Sequence, residues 1–254
     1  MGEIKDIEVS NIFLLLLAFV ASLGFALTLP QDGMILKISA TIFVIGIWVI
    51  GLCFHEFSHA LSSYIFGDTS IIDKGYLSLN PLLFSDFRLS IIFPIIILLI
   101  GGLPLPGGAV YLRHDLLKTR THIALTYLAG PFANIILGIV LCLLIIALPD
   151  GSQFLNLKGA IAISAFFQFY SAIFNLLPIP SFDGFGALAV FLPPDIQIKA
   201  QKIGALAFAF IIFAVFALPS FFTPLARLAV TSVYSFGVPQ EIMENGFTNF
   251  LRGV

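Results

Sequence analysis

Charge is what this sequence has least of. Only 10% of its 254 residues are Asp, Glu, Lys or Arg, where a water-soluble domain carries about 25%. Its 12 basic residues do not outnumber its 14 acidic ones, so it offers no cationic face to nucleic acid. Two cysteines, Cys53 and Cys142, sit within apolar runs; they make no disulfide framework and leave the redox compartment open. Histidine occurs 4 times, few enough that each one is worth placing. What the chain has in excess is hydrocarbon: 59% hydrophobic residues, a mean hydropathy of +1.07, and 28 Phe, which suit helix packing in lipid and need no cofactor. An ordinary soluble domain is excluded, and an integral protein of the lipid bilayer is expected.

Residues 1–10 are mixed in charge, and the apolar run after them lacks a small-residue cleavage pattern, so Asn11–Leu29 reads as a retained helix and not a signal peptide. A second run from Met34 through Trp48 to about Phe66 is too long for a simple span and is expected to carry its end to the far side. In Gly67–Arg88 the alternation Tyr76-Leu77-Ser78-Leu79-Asn80 predicts a short strand or hairpin at the membrane surface. Leu89–Gly102, with Pro94 inside it, is short for a span and reads as re-entrant. Thr121–Leu148 predicts a transmembrane helix kinked at Pro131. Its Gly130, Asn134 and Gly138 recur at every fourth position, where small residues let backbones approach.

Lys158–Leu177 returns across the membrane with Ser164, Gln168, Ser171 and Asn175 in one polar stripe. That stripe serves either helix–helix hydrogen bonding or a wet cavity. Lys199–Phe222 is expected as a final span, Pro224–Phe236 as a partial helix, and the tail to Val254 at the surface. The fold class is therefore all-α, a polytopic membrane helix bundle of about five or six transmembrane helices plus a re-entrant or membrane-surface hairpin.

Inside the long second run lies His55-Glu56-Phe57-Ser58-His59, a H-E-x-x-H pattern. On a helix both imidazoles face the same way and can reach one ion, while Glu56 can take a proton from water beside it. A charged side chain at a membrane helix centre costs about 2.5–3.5 kcal/mol, so such residues point to function. The alternative is a chance match on a helix that leaves the membrane at Cys53. A catalytic zinc needs a third protein ligand. His114 and His122 lie in or beside a basic loop and read as surface residues, whereas Asp183 follows Pro178 and Pro180 and precedes Gly184. Asp-Gly alone is a common turn; its weight comes from topology. With the basic groups Arg113/Lys118/Arg120 and Lys199/Lys202 cytoplasmic, and 89–102 dipping and returning, Asp183 falls on the same side as His55 and His59. A full crossing by 89–102 would put the two motifs on opposite faces.

Taken together these separated segments resemble the site-2 protease family of intramembrane metalloproteases, in its compact prokaryotic form. The resemblance rests on His55–Ala60, on Asn175-Leu176-Leu177-Pro178-Ile179-Pro180 with Asp183-Gly184, on Gly67-Asp68-Thr69, on Gly75 to Pro81 and on Ala129 to Asn134. It implies one zinc per chain held by His55, His59 and Asp183, with Glu56 as general base and acid. It implies that Asn175 holds the substrate or the developing oxyanion. The substrate would be a membrane-anchored protein cut in or near a transmembrane segment, with no nucleic-acid partner, by an enzyme of the cell membrane whose site faces the cytoplasm.

Residues 1–254 are expected to form a single membrane metalloprotease domain with its core at about 34–192 and no PDZ or nucleotide-sensing (CBS) module. The Tyr76–Asn80 edge is expected to pair with unwound substrate. Two departures concern substrate handling: Phe84 where relatives often have His, and Asp183-Gly184-Phe185-Gly186 where they often read Asp-Gly-Gly-Arg. The competing readings are an inactive protein of the same fold that binds transmembrane segments and, with less support, a transporter.

Overall fold

The structure, a computed structural model, describes residues 7–31, 33–83, 92, 94–96 and 113–250. Its elements are helical, with no strand among the described residues. Helix α1 (Asn11–Ala26) begins where the Ser10 hydroxyl accepts the Phe13 N–H at 3.1 Å. Helix α2 (Gly33–Ile65) is one unbroken element of 33 residues, about 50 Å long, as the over-long apolar run predicts. A single turn, α3 (Ser70–Asp73), follows. Most of the expected re-entrant stretch, and Phe84 with it, lies outside the described residues.

Helix α4 (Arg120–Ala147) is capped by Thr119, whose hydroxyl accepts the His122 N–H, and runs on through Pro131. Next come α5 (Leu155–Asn175), α6 (Asp183–Ala189), α7 (Pro194–Ala217), α8 (Pro219–Ser235) and α9 (Gln240–Phe250). Asp68, fully buried, fastens the entry to α4. Its Oδ1 accepts the Ser70 N–H and hydroxyl, and its Oδ2 accepts the Arg113 N–H at 3.3 Å.

The bundle is built around α5. Helices α2, α4, α8 and α9 all pack on it, and every residue from Lys158 to Ala172 is buried. Its apolar residues and its polar stripe are alike enclosed by these neighbours. The outer helices are apolar on the outside as well: Leu206 is 72% exposed and Phe213 62%. Among the described residues four helices, α2, α4, α5 with its preceding turn, and α7, are long and apolar enough to cross a membrane, and α1 is shorter. An apolar exterior over long helices belongs in lipid, so the chain is a polytopic all-α membrane protein.

Three expectations change. Residues 76–80 are not a strand: Leu77 and Leu79 are both buried as the alternation predicts, but Leu79 takes a left-handed φ of 50°, which breaks the extension. Lys199–Phe222 is not one helix. Pro219 has no N–H to continue a helix, so α7 stops at Ala217 and α8 starts afresh on that proline. The described part of the C-terminal tail does not simply lie at the surface either. In α9, Ile242, Met243, Gly246 and Phe250 line one face, and that face is buried against α5.

Helix α8 runs antiparallel to α5. Phe222 in its first turn packs on Phe174, and Phe236 just past its end stacks on Phe169. The chain is thereby returned to the end where α5 begins, and α9 crosses α5 there at a glycine pair. A Cβ on Gly246 would collide with the Gly159 carbonyl, and one on Gly159 would stand 2.9 Å from the Gly246 nitrogen. Since both obstacles are backbone, Gly246→Val is expected to destabilise the protein by about 1–3 kcal/mol. Gly33→Ala, with nothing within 4 Å of the new methyl, should not. Thermal unfolding in detergent measures both.

Candidate metal centre

Three elements meet at the C-terminal end of α2. His55 and His59 lie one turn apart with their Nε2 atoms 3.0 Å from each other, and both are buried. Asp183, the first residue of α6, places Oδ2 at 3.2 Å from His55 Nε2 and 3.4 Å from His59 Nε2. Among the described residues this trio is the group of metal-capable side chains whose ligand atoms converge. Asp183 and the histidine pair therefore occupy the same end of the bundle, as the same-side count requires.

Each ring is held by its other nitrogen. His59 Nδ1 lies 2.7 Å from the Thr126 carbonyl and His55 Nδ1 lies 3.0 Å from Asn134 Oδ1. A backbone carbonyl only accepts, so His59 carries its proton on Nδ1 and turns a lone pair at Nε2 toward the centre. Asn134 imposes the same tautomer on His55. Two lone pairs and a carboxylate oxygen at this separation repel one another unless a cation lies among them. Zinc with bonds of about 2.0–2.1 Å in tetrahedral geometry spaces its ligand atoms about 3.3–3.4 Å apart, close to the edges of this triangle. The donor set fits zinc, and three protein ligands with a fourth position open is the catalytic pattern.

Local packing explains why the groups can meet. Gly130 faces the two imidazoles, and a Cβ there would collide with His59 Nε2 and stand 2.7 Å from His55 Cε1 and Nε2. The every-fourth-residue face of α4 thus has three separate tasks. Gly130 makes room for the rings, Asn134 orients one of them, and Gly138 receives the Phe169 ring, which would stand 3.0 Å from a Cβ added there. Gly184 is pressed against the Leu176 carbonyl so closely that no side chain would fit, which tucks the start of α6 under the end of α5. That contact brings Asp183 and Asn175 into one corner. Asn175 is buried there but hydrogen-bonds none of the three ligand residues. Glu56 is buried in the same turn as the histidines.

His122 does not join the trio; it stacks on Phe66 with ring centroids 4.3 Å apart. At the second departure from the family pattern, the Tyr127 ring lies over Gly186 where a Cβ would collide. The Tyr76–Asn80 edge is partly taken by the chain itself. The Leu77 and Ser78 carbonyls accept the N–H groups of Glu8 and Ser10 at 3.1 and 3.0 Å. Thr126 and the task of Asn134 escape a sequence reading, although an amide set among small residues inside an apolar helix was the available signal.

Over 195 residues the chain is 38% identical to "Putative zinc metalloprotease Rip2" of Mycolicibacterium smegmatis, covering 76% of this chain and 74% of that protein. The chain belongs to the site-2 protease family. A protein of the same name from Mycobacterium tuberculosis is 36% identical over 216 residues, covering 84% of this chain and 83% of its own length. "Putative zinc metalloprotease YwhC" of Bacillus subtilis is 27% identical over 199 residues, covering 74% and 84% respectively. No family model matches the chain, and no solved structure matches it. This site-2 protease is a metalloprotease whose cofactor is zinc, and its His-His-Asp trio can hold one ion.

Removing the partner that orients a metal-binding histidine lowers affinity about 10–100-fold. Asn134→Ala is expected to do so, and Gly130→Val and Asp183→Ala to abolish stoichiometric zinc. Competition with a fluorescent chelator, alongside metal analysis of the purified variants, reads all three.

Proposed function

We propose that this site-2 protease is an intramembrane zinc endopeptidase that hydrolyses peptide bonds in or near transmembrane segments of membrane-anchored proteins. The observation that carries the reading is the closed triangle of His55, His59 and Asp183 with Glu56 buried in the same turn. The names of its relatives support the protease half of it, and the apolar exterior supports the membrane half.

His55 and His59 would hold the zinc through Nε2 and Asp183 through a carboxylate oxygen, while Asn134 and the Thr126 carbonyl keep both rings in the required tautomer. Zinc, when bound, supplies the Lewis acidity that polarises a carbonyl and brings the acidity of water toward neutral pH. Glu56 takes the proton from the attacking water and returns it to the departing amine. Asn175 turns its amide toward the developing oxyanion or the neighbouring substrate backbone. The surrounding helices exclude bulk water from these groups.

Residues 1–254 act as one membrane-embedded unit, with its core at about 34–192. The distribution of Arg113, Lys118, Arg120, Lys199 and Lys202 supports a cell-membrane orientation with the site toward the cytoplasm. An inactive relative that only binds transmembrane segments would have no use for a buried carboxylate at position 56.

In liposomes with a single-pass model substrate, Glu56→Gln is expected to keep one zinc per chain and to cleave at least about 100-fold more slowly than wild type. Equal cleavage by the two proteins would rule out the assigned chemistry.

A further inference from the structure

Gln168 lies in the middle of α5, 1% exposed, and its Oε1 has no hydrogen-bond partner. Native proteins leave few buried acceptors in that condition. Its neighbour along the stripe differs, since the Ser164 hydroxyl bonds back to the Ala160 carbonyl at 2.8 Å, and ordinary helix bonding accounts for it. The Gln168 carboxamide is aimed at α2. It lies against Gly51, where a Cβ would collide with both of its terminal atoms and stand 2.7 Å from Cδ.

Gly51 precedes His55 by one turn, about 6 Å along the axis. Side chains on a helix lean toward its N-terminus, so the His55 ring leans over the turn that the carboxamide touches. Ser171 and Asn175 carry the same stripe onward from Gln168, one and two turns along α5, to the corner beside Asp183. A carboxamide with an unpartnered oxygen thus sits in the seam between α2 and α5, next to the candidate metal ligands and on the face that leads to Asn175.

We propose that Gln168 is a substrate-backbone anchor, its Oε1 accepting a peptide N–H and its Nε2 donating to a peptide carbonyl of the unwound substrate. The proposal deepens the protease reading and rests on it. A helix must unwind to be cut, which strips its backbone groups of their partners where lipid supplies none. A carboxamide carries one acceptor and donor N–H groups in the peptide's own arrangement, and it adds no charge beside the ion. An extended chain advances about 3.3 Å per residue, so the one-turn offset from His55 places the anchored peptide about two residues from the cleaved one.

Binding is the readout, in the Glu56→Gln background so that no substrate is consumed. The probe is a fluorescent single-pass peptide that wild type cleaves, reconstituted with Glu56→Gln or Glu56→Gln/Gln168→Met in bicelles. Gln168→Met is expected to weaken binding about tenfold, equivalent to about 1.4 kcal/mol, with zinc content unchanged. A peptide with an ester in place of the amide two residues from the cleavage site should lose the same factor against Glu56→Gln and nothing further against the double variant. Equal affinity of the two proteins, or binding indifferent to the ester, overturns the anchor.

Should Gln168→Met fail to fold, the ester peptide against Glu56→Gln alone decides, and unchanged affinity there overturns the proposal. A zinc-loaded wild type that cleaves no membrane-anchored substrate refutes the protease reading itself. A wild type that cleaves, with Gln168→Met binding as tightly as its parent, refutes only the anchor.

Discussion

Two imidazole lone pairs and a carboxylate oxygen, held 3.0–3.4 Å apart in an enclosed apolar bundle, repel each other until a cation joins them. Everything near the centre answers to that constraint. The rings need fixed tautomers, which Asn134 and the Thr126 carbonyl supply from α4. The carboxylate has to arrive from a segment far along the chain. The histidines must stay on a rigid stage, and the unbroken α2 provides it. A bound ion would therefore be a part of the packing as well as of the chemistry, because it would lie where α2 and α6 bring these ligand atoms together.

Close approach is the means by which the bundle meets the demand. Gly130 lets α4 come near enough for its neighbours to bond the rings, and Gly184 lets α6 begin under the last carbonyls of α5. Gly51 leaves space for an amide from α5 in the seam beside the ligands. In lipid, helices gain little by excluding water from one another, so intimate contact and hydrogen bonding set their arrangement. Glycines at such positions serve the site by what they leave out. The enclosed helix α5 transmits this geometry, since it is packed on all sides by α2, α4, α8 and α9 and ends at the corner where Asp183 enters.

Where sequence reasoning failed, the reason was local. Leu77 and Leu79 alternate as a strand would and are both buried, yet the left-handed backbone at Leu79 and pairing with Glu8 and Ser10 make that stretch a packed turn. Polar residues in 240–250 suggested a surface tail, but the spacing of Ile242, Met243, Gly246 and Phe250 gives one buried face. Pro219 ended a helix that hydropathy alone would have continued. The stripe of Ser164, Gln168, Ser171 and Asn175 was visible as a period. Whether its members were satisfied was not, because a back-bonded serine and an unpartnered glutamine occupy equivalent places in that period.

By itself the sequence determined that the chain is a membrane-embedded helical protein, since composition and run length leave no other solvent for so much hydrocarbon. It also determined that His55 and His59 share a helix face, since their separation is a property of the α-helix. Only the tertiary structure decided that Asp183 closes on that pair, that Asn134 and Thr126 hold the rings, and that Gly51 and Gly130 clear the way. Those relations join residues far apart along the chain, and their distances depend on how closely four helices approach one another, which no local pattern encodes.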